Sequence, residues 1–353
     1  MRILVIGAGA IGFQLSKQLS QDGHDISLID IDHRRVKRVG EQLDILVTTG
    51  SGTSLRSLQQ IDIGSIDLVA AMTTNDEVNL LACRMAKQLG VESTIARIRN
   101  PEFTAPDFIF DKSELGVDQF IHPEKETADA IVRLIRQSSA TDLIEFSEGK
   151  LVLLGMRLDH QSPLLNTPLI ELGQQFADIP MRIVAIQRKQ QTLIPDGNAQ
   201  LYAEDRIFII SDPVFMPEVI KLTGHAEQRI ENIMVLGGSL TGQFVAQTVV
   251  PEIKVKLIES RTEKSWQVAD QLDDVLVIQG DGTDYDLLAV EGITDTDAFI
   301  AVTGNDETNI ISTLIAQHFN VPRTIALVNN VDYMPITPAI GLDSVLSKQL
   351  LTV

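Results

Sequence analysis

The chain has 353 residues, 44% of them hydrophobic, and 29 Lys and Arg against 48 Asp and Glu, a formal charge of −19. That length predicts two or three domains with ample apolar material for their cores. The charge excludes non-specific nucleic-acid binding and adhesion to an anionic membrane surface. The single cysteine, Cys83, rules out an intrachain disulfide and suits a reducing cytoplasm.

No apolar run approaches the length of a membrane span. The apolar start, Ile3 to Ile6, is too short for a signal peptide, and glycines follow it.

Residues 1–30 read as strand, glycine turn, helix and second strand. Arg2 to Ile6 is apolar and β-branched, and Gly7-Ala-Gly-Ala-Ile-Gly12 follows directly. An amphipathic stretch then runs from Phe13 to Gln21, Gly23 ends it, and Asp25 to Asp30 is the next strand. This is the G-x-G-x-x-G fingerprint in the context that makes it informative. Gly7 permits the turn, Gly9 lets the backbone approach a pyrophosphate, and Gly12 lets helix and strand pack closely. The helix start around Ala10 and Ile11 offers free N–H groups and the positive end of a dipole. Asp30 is placed to accept hydrogen bonds from ribose hydroxyls. Its charge opposes a 2′-phosphate, which favours an NAD- or adenosine-type ligand over NADP.

The next elements alternate. A basic crossover helix spans His33 to Glu41, and strands are predicted over Asp44–Thr48, Asp67–Ala71, Ser93–Ile98 and Val117–Ile121. Between the second and third of these, Thr73-Thr-Asn-Asp-Glu-Val-Asn79 opens a long helix, with Thr74 or Asn75 as its cap. The alternation predicts a doubly wound parallel sheet, with ligand at the carboxyl ends of the first and fourth strands, where strand order reverses. Gly9, Asp30, Gly50, Ser51, Thr73, Asn75 and Arg97 lie at such ends. Arg97 reads either as a phosphate clamp or as a surface arginine. A helix over Glu124–Gln137, with Ala128, Ile131, Val132 and Ile135 on one face, leaves the sheet to pack against a partner copy. From Ser138 a small α+β module of five strands and two short helices follows, without a glycine-rich phosphate loop.

The first domain then recurs. Gly237-Gly-Ser-Leu-Thr-Gly242 repeats the turn at Gly7, Gly280-Asp-Gly-Thr283 repeats Gly50-Ser-Gly-Thr53, and Thr303 to Asn309 repeats Thr73 to Asn79, each 230 positions on, while Glu259 matches Asp30. This is an internal duplication of a nucleotide-binding domain. By the logic of the repeat, a second small module would follow; the 353 residues do not contain it. The copies diverge where a ligand would lie. Ser239 replaces Gly9 and crowds a pyrophosphate, and Leu327 and Asn329 replace Arg97 and Arg99. The first copy is therefore expected to bind nucleotide better than the second.

The catalytic equipment of a dehydrogenase is missing. None of the histidines is an obvious proton donor, no Tyr-x-x-x-Lys occurs, and no His/Cys group has metal spacing. The motifs predict a sensor that binds a nucleotide without transforming it.

Gly7 to Gly12, Asp30, the Gly-x-Gly-Thr loop, the Asn-Asp-Glu-x-x-Asn helix start, Ala96-Arg-Ile-Arg99 and the tandem layout resemble the TrkA family. Members are cytosolic regulatory subunits of Trk-type potassium uptake systems, built from domains that regulate potassium conductance. The resemblance implies two Rossmann-like doubly wound sheets, over residues 1–137 and 229–353, separated by a small α+β dimerisation domain over 138–225. It implies NAD(H) or ATP/ADP as ligand and self-association into a dimer or ring. It implies an integral-membrane potassium transporter as partner, with this chain peripheral on the inner face of the membrane. No catalysis and no nucleic-acid partner are implied. By position, Gly7, Gly9, Ala10, Ile11, Gly12, Asp30, Ser51, Thr73, Asn75 and Arg97 would carry the first site. Gly237, Gly238, Gly242, Glu259, Asp281, Thr303 and Asn305 would carry the second. Ser51 stands where the family often has an acid. The competing readings are an NAD-dependent oxidoreductase and a regulator of another ion transporter, such as a potassium efflux antiporter.

Overall fold

A computed structural model describes every residue except 106, 137–141, 148, 190, 225–229, 343 and 353. The segment boundaries expected at 137/138 and at 225/229 lie outside the described residues.

The first copy begins with β1 (Arg2–Ile6), whose last four residues are buried, as expected for a strand covered on both faces. Then come α1 (Ala10–Gln21), β2 (Asp25–Asp30), α2 (His33–Gln42), β3 (Leu46–Thr49), α3 (Leu55–Gln60), β4 (Leu68–Ala71), α4 (Asp76–Gln88), β5 (Ser93–Arg97), α5 (Lys112–Leu115), β6 (Gln119–Ile121) and α6 (Pro123–Arg136). Polar residues set the helix starts, since each cap supplies an oxygen to an otherwise orphaned N–H. Asp32 caps α2, Ser54 caps α3 and Asn75 caps α4. The helix α1 begins at Ala10, three residues before the amphipathic stretch, because the glycine turn itself enters the helix.

The strands form one parallel sheet in the order β3-β2-β1-β4-β5-β6. Order reverses between β1 and β4, which pair through Ile3–Leu68 to Ile6–Ala71. Two apolar layers cover the sheet. One gathers Leu4, Ile6, Val69, Ala82, Cys83 and Ile98, and the other Ile3, Val5, Ile26, Leu28 and Val39. The alternation along β1 thus feeds both layers.

The small module contains β7 (Asp142–Phe146), β8 (Leu151–Arg157), α7 (Leu169–Gln175), β9 (Met181–Arg188), β10 (Gln191–Leu193), β11 (Arg206–Ser211) and α8 (Met216–Leu222). Its five strands form an antiparallel sheet ordered β10-β9-β11-β8-β7.

The second copy has β12 (Asn232–Leu236), α9 (Leu240–Val249), β13 (Lys254–Glu259), α10 (Thr262–Gln271), β14 (Val275–Gln279), α11 (Tyr285–Val290), β15 (Ala298–Ala301), α12 (Asp306–His318), β16 (Arg323–Leu327), β17 (Val345–Leu346) and α13 (Lys348–Thr352). Its parallel sheet, β14-β13-β12-β15-β16-β17, repeats the first.

The chain divides into two compact units, which do not follow the three sheets. One comprises Met1–Thr127, Asn329–Val331 and Ser347–Val353, and the other Ala128–Val328 and Asp332–Leu346. The division cuts α6. Beyond Thr127 its apolar face, Ala128, Ile131, Val132 and Ile135, joins the core of the second copy with Ile233, Val235, Val245 and Val249. The copy it packs against belongs to the same chain.

Candidate functional site

The fingerprint glycines have distinct physical roles. Gly7 sits at φ +107°, a left-handed value that favours glycine, and its N–H donates to Ile29 O at 2.8 Å. A Cβ on Gly12 would lie 1.9 Å from Gly7 O, so helix and turn are in contact there. A Cβ on Gly9 would meet nothing within 4 Å. The space above Gly9 is open, and no side chain caps α1. The first-turn N–H groups around Ala10, Ile11 and Gly12 therefore face that space without a side-chain partner, an arrangement suited to phosphate oxygens.

Asp30 closes the other end of the cleft. It is 8% exposed. Its Oδ2 accepts from Ala8 N at 2.6 Å and its Oδ1 from Asp32 N at 2.8 Å. Each oxygen keeps a further lone pair, so the carboxylate can still receive ribose hydroxyls. The cations of α2 go elsewhere: Arg34 and Arg35 pair with Asp32 at 3.7 and 3.6 Å.

The wall opposite is held by a residue absent from the sequence-predicted set. Asn79 is fully buried, and its Oδ1 accepts from Thr73 N at 3.0 Å and from the Thr73 hydroxyl at 2.6 Å. Its Nδ2 donates to Thr73 O at 3.1 Å and Arg97 O at 2.8 Å. One amide thus ties the carboxyl ends of β4 and β5 together beside the switch point. The signal was the second Asn of the Asn-Asp-Glu-x-x-Asn run, one helical turn after the cap. Thr73 lies on this wall, whereas the side chain of Asn75 is committed to capping α4 through Val78 N at 2.7 Å. Ser51 shapes its loop by accepting from Thr53 N at 3.2 Å.

Arg97 is 8% exposed, so the surface-arginine reading fails. Its Nη2 donates to Glu124 Oε1 at 2.9 Å, and Arg99 and Lys348 stand 3.7 and 3.5 Å from the same oxygen. Burial pushes the Glu124 carboxyl up, but Lys348 and Arg97 outweigh it and hold it below the usual carboxylate range. Arg97 is tied to an acid, and Arg99, with a side chain 43% exposed, is the more open of the two arginines.

The second copy repeats the frame. Gly237 sits at φ +109°, and a Cβ on Gly242 would lie 2.1 Å from Gly237 O. Asn309 holds Thr303 N at 2.9 Å and Leu327 O at 2.7 Å, and Asn305 caps α12. Asp281 replaces Ser51 and accepts from Thr283 N and Oγ1 at 2.9 and 2.8 Å. Glu259 accepts from Gly238 N at 3.1 Å and Arg261 N at 3.1 Å, as Asp30 does from its equivalents. Burial raises the Glu259 carboxyl, but the Arg261 N–H and Lys264 hold it below the ordinary range. Ser239, as expected, brings a side chain into the turn.

Cys83 is buried, and burial pushes its thiol up to about 12, which leaves no thiolate for nucleophilic chemistry at neutral pH. Among the described residues no group of His, Cys, Asp and Glu is arranged to hold a metal ion, and no helix is long and apolar enough to cross a membrane.

The TrkA-N domain family matches residues 3–123 and again 233–348, and the TrkA-C domain family matches 153–224. The Trk system potassium uptake protein TrkA of Halomonas elongata is 30% identical over 354 residues, covering all of this chain and 78% of that protein. The TrkA homolog 1 of Methanosarcina mazei is 31% identical over 362 residues, covering all of this chain and 79% of its own length. Among solved structures, the GsuK RCK domain superposes with a TM-score of 0.70 at 20% identity, over 99% of this chain and 74% of that one. The GsuK channel bound to NAD gives 0.71 at 20% identity, over 99% and 62%. At such identity these structures speak for the fold. The tandem TrkA-N domains, the TrkA-C module between them and relatives matched along the whole chain together establish that it belongs to the TrkA family of potassium uptake proteins, a regulatory family and not a family of enzymes.

Proposed function

We propose that this chain senses cytosolic adenine nucleotides and sets the conductance of an integral-membrane potassium uptake protein. The observation that carries the binding half is the first copy's glycine turn. The start of α1 is uncapped, open space lies over Gly9, and Asp30 stands at the far end of the cleft with acceptor capacity left. That geometry suits a pyrophosphate at one end and a ribose at the other, as in NAD(H), ADP or ATP. Gly7, Gly9, Ala10, Ile11, Gly12, Asp30, Ser51 and Thr73 form the site, while Asn75, Asn79 and Arg97 position it. Among solved structures of the same fold, the GsuK channel is bound to NAD and GsuK is bound to ADP.

The potassium half rests on the family, whose members are named for potassium uptake. The chain would act from the cytoplasmic face as a dimer or ring. A nucleotide shifts the transporter only if it binds one conformation of that assembly better than another.

The test has two parts. Calorimetric titration with ADP, ATP, NADH and NAD⁺, with NADH absorbance followed in parallel, should give saturable binding and constant absorbance. Steady NADH oxidation would overturn the sensor reading. Potassium flux through a reconstituted Trk-type transporter should then change with nucleotide only when this chain is present.

A further inference from the structure

The two copies share a frame but differ in what fills it. In the first, Gly9 presents no side chain and α1 has no side-chain cap. In the second, the Ser239 hydroxyl donates to Val302 O at 2.8 Å and accepts from Gly242 N at 3.3 Å. An N–H that would meet a phosphate oxygen in the first copy here meets the chain's own hydroxyl.

The acid end differs in the same sense. In the first copy Asp32 draws off Arg34 and Arg35, leaving Asp30 without a cation within 4 Å among the described residues. Arg261 occupies the position of Asp32 in the second copy, so the acid that holds Arg34 and Arg35 in the first copy has no counterpart there. Lys264 Nζ then stands 3.3 Å from Glu259 Oε2, and Arg261 Nε 3.4 Å from Oε1. Glu259 is 5% exposed, and its side chain is one carbon longer than that of Asp30. The donors that ribose hydroxyls would supply are already present as side chains.

We propose that the second copy is a self-occupied nucleotide site: Ser239 takes the place of a phosphate oxygen, Lys264 and Arg261 take the place of the ribose hydroxyls, and the chain binds one adenine nucleotide. This rests on nucleotide binding by the first copy. Its consequence is a division of labour: the first copy responds to nucleotide, and the second keeps one conformation whatever the nucleotide level. Ser239, Arg261 and Lys264 are the residues that decide between the two behaviours.

The experiment is calorimetric titration of the full chain with ADP, read as sites per chain. The wild type should bind one, and Gly9→Asp should bind none. Grafting the first copy's residues by Ser239→Gly, Arg261→Asp and Lys264→Arg together should raise the count to two. Circular dichroism and thermal melting of each variant establish that it is folded. Two sites in the wild type overturn the proposal, as does a single site that survives Gly9→Asp. A folded graft that still binds only one also overturns it. A separate variant, Ser239→Ala, removes the hydroxyl without opening the turn to the same degree and should stay at one site; two sites there would show that Lys264 and Arg261 are not needed for closure, against the proposal. A wild type that binds no ADP, ATP or NADH removes the assignment of the first copy, and the inference with it.

Discussion

A Cβ built on Gly9 meets no atom within 4 Å, whereas one built on Gly12 lies 1.9 Å from Gly7 O. Two glycines of one fingerprint therefore predict opposite phenotypes. Gly9→Asp places a like charge beside a bound phosphate, which costs several kcal/mol of binding, or roughly a hundredfold or more in Kd. Its melting temperature should stay within a degree or two of wild type. Gly12→Ala should destabilise the fold by about 1–3 kcal/mol through overpacking. Paired denaturation and ADP titration distinguish them, and a Gly9→Asp variant that melts early would show that the turn is not open. The turn role of Gly7 and the packing role of Gly12 were legible from spacing alone. Asn79 was not, because its side chain joins the Thr73 loop, through three hydrogen bonds, to Arg97 O of β5, a partner 18 residues on that local spacing does not reveal.

Helix α6 is the element whose sequence affiliation and packing differ. It follows the first sheet in the chain, yet Ile131, Val132 and Ile135 belong to the core of the second copy. Ile131→Ala should cost about 2–5 kcal/mol, and hydrogen exchange should report the loss in β12 and α9. Exposure confined to β1 and α1 would refute that assignment. At the start of the same helix, Glu124 gathers Arg97, Arg99 and Lys348. Because its carboxyl is held low in the fold, its stabilisation is complete above the ordinary Glu value of about 4.3 and is lost as pH falls through the lower native value. Glu124→Gln strands a buried arginine and should destabilise by about 3–5 kcal/mol at pH 7, with the gap to wild type narrowing below about pH 4. Urea midpoints across that range measure it, and a gap independent of pH would mean that the carboxylate is not ion-paired.

For the molecule as a whole, each of the two compact units carries its own core, so ligand and heat should act on them separately. ADP at a hundred times its Kd stabilises the unit that binds it by about 2.7 kcal/mol, on the order of 8 °C. Scanning calorimetry should show one shifted transition and one unmoved. Equal shifts in both would indicate binding to both copies.

Strand order, duplication and the glycine turn followed from the sequence by itself. Each depends on local signals, namely apolar runs, caps and residues that tolerate special backbone, repeated at a constant offset. The tertiary structure alone decided what fills each cleft. Whether Arg97 lies under Glu124 or in solvent, and which core receives α6, are settled by neighbours distant in the chain, while the turn of Lys264 toward Glu259 depends on how the folded β13–α10 loop aims its side chains. Charge pairing and apolar burial act through space, and spacing along the sequence does not encode which distant partner is nearest once the chain has folded.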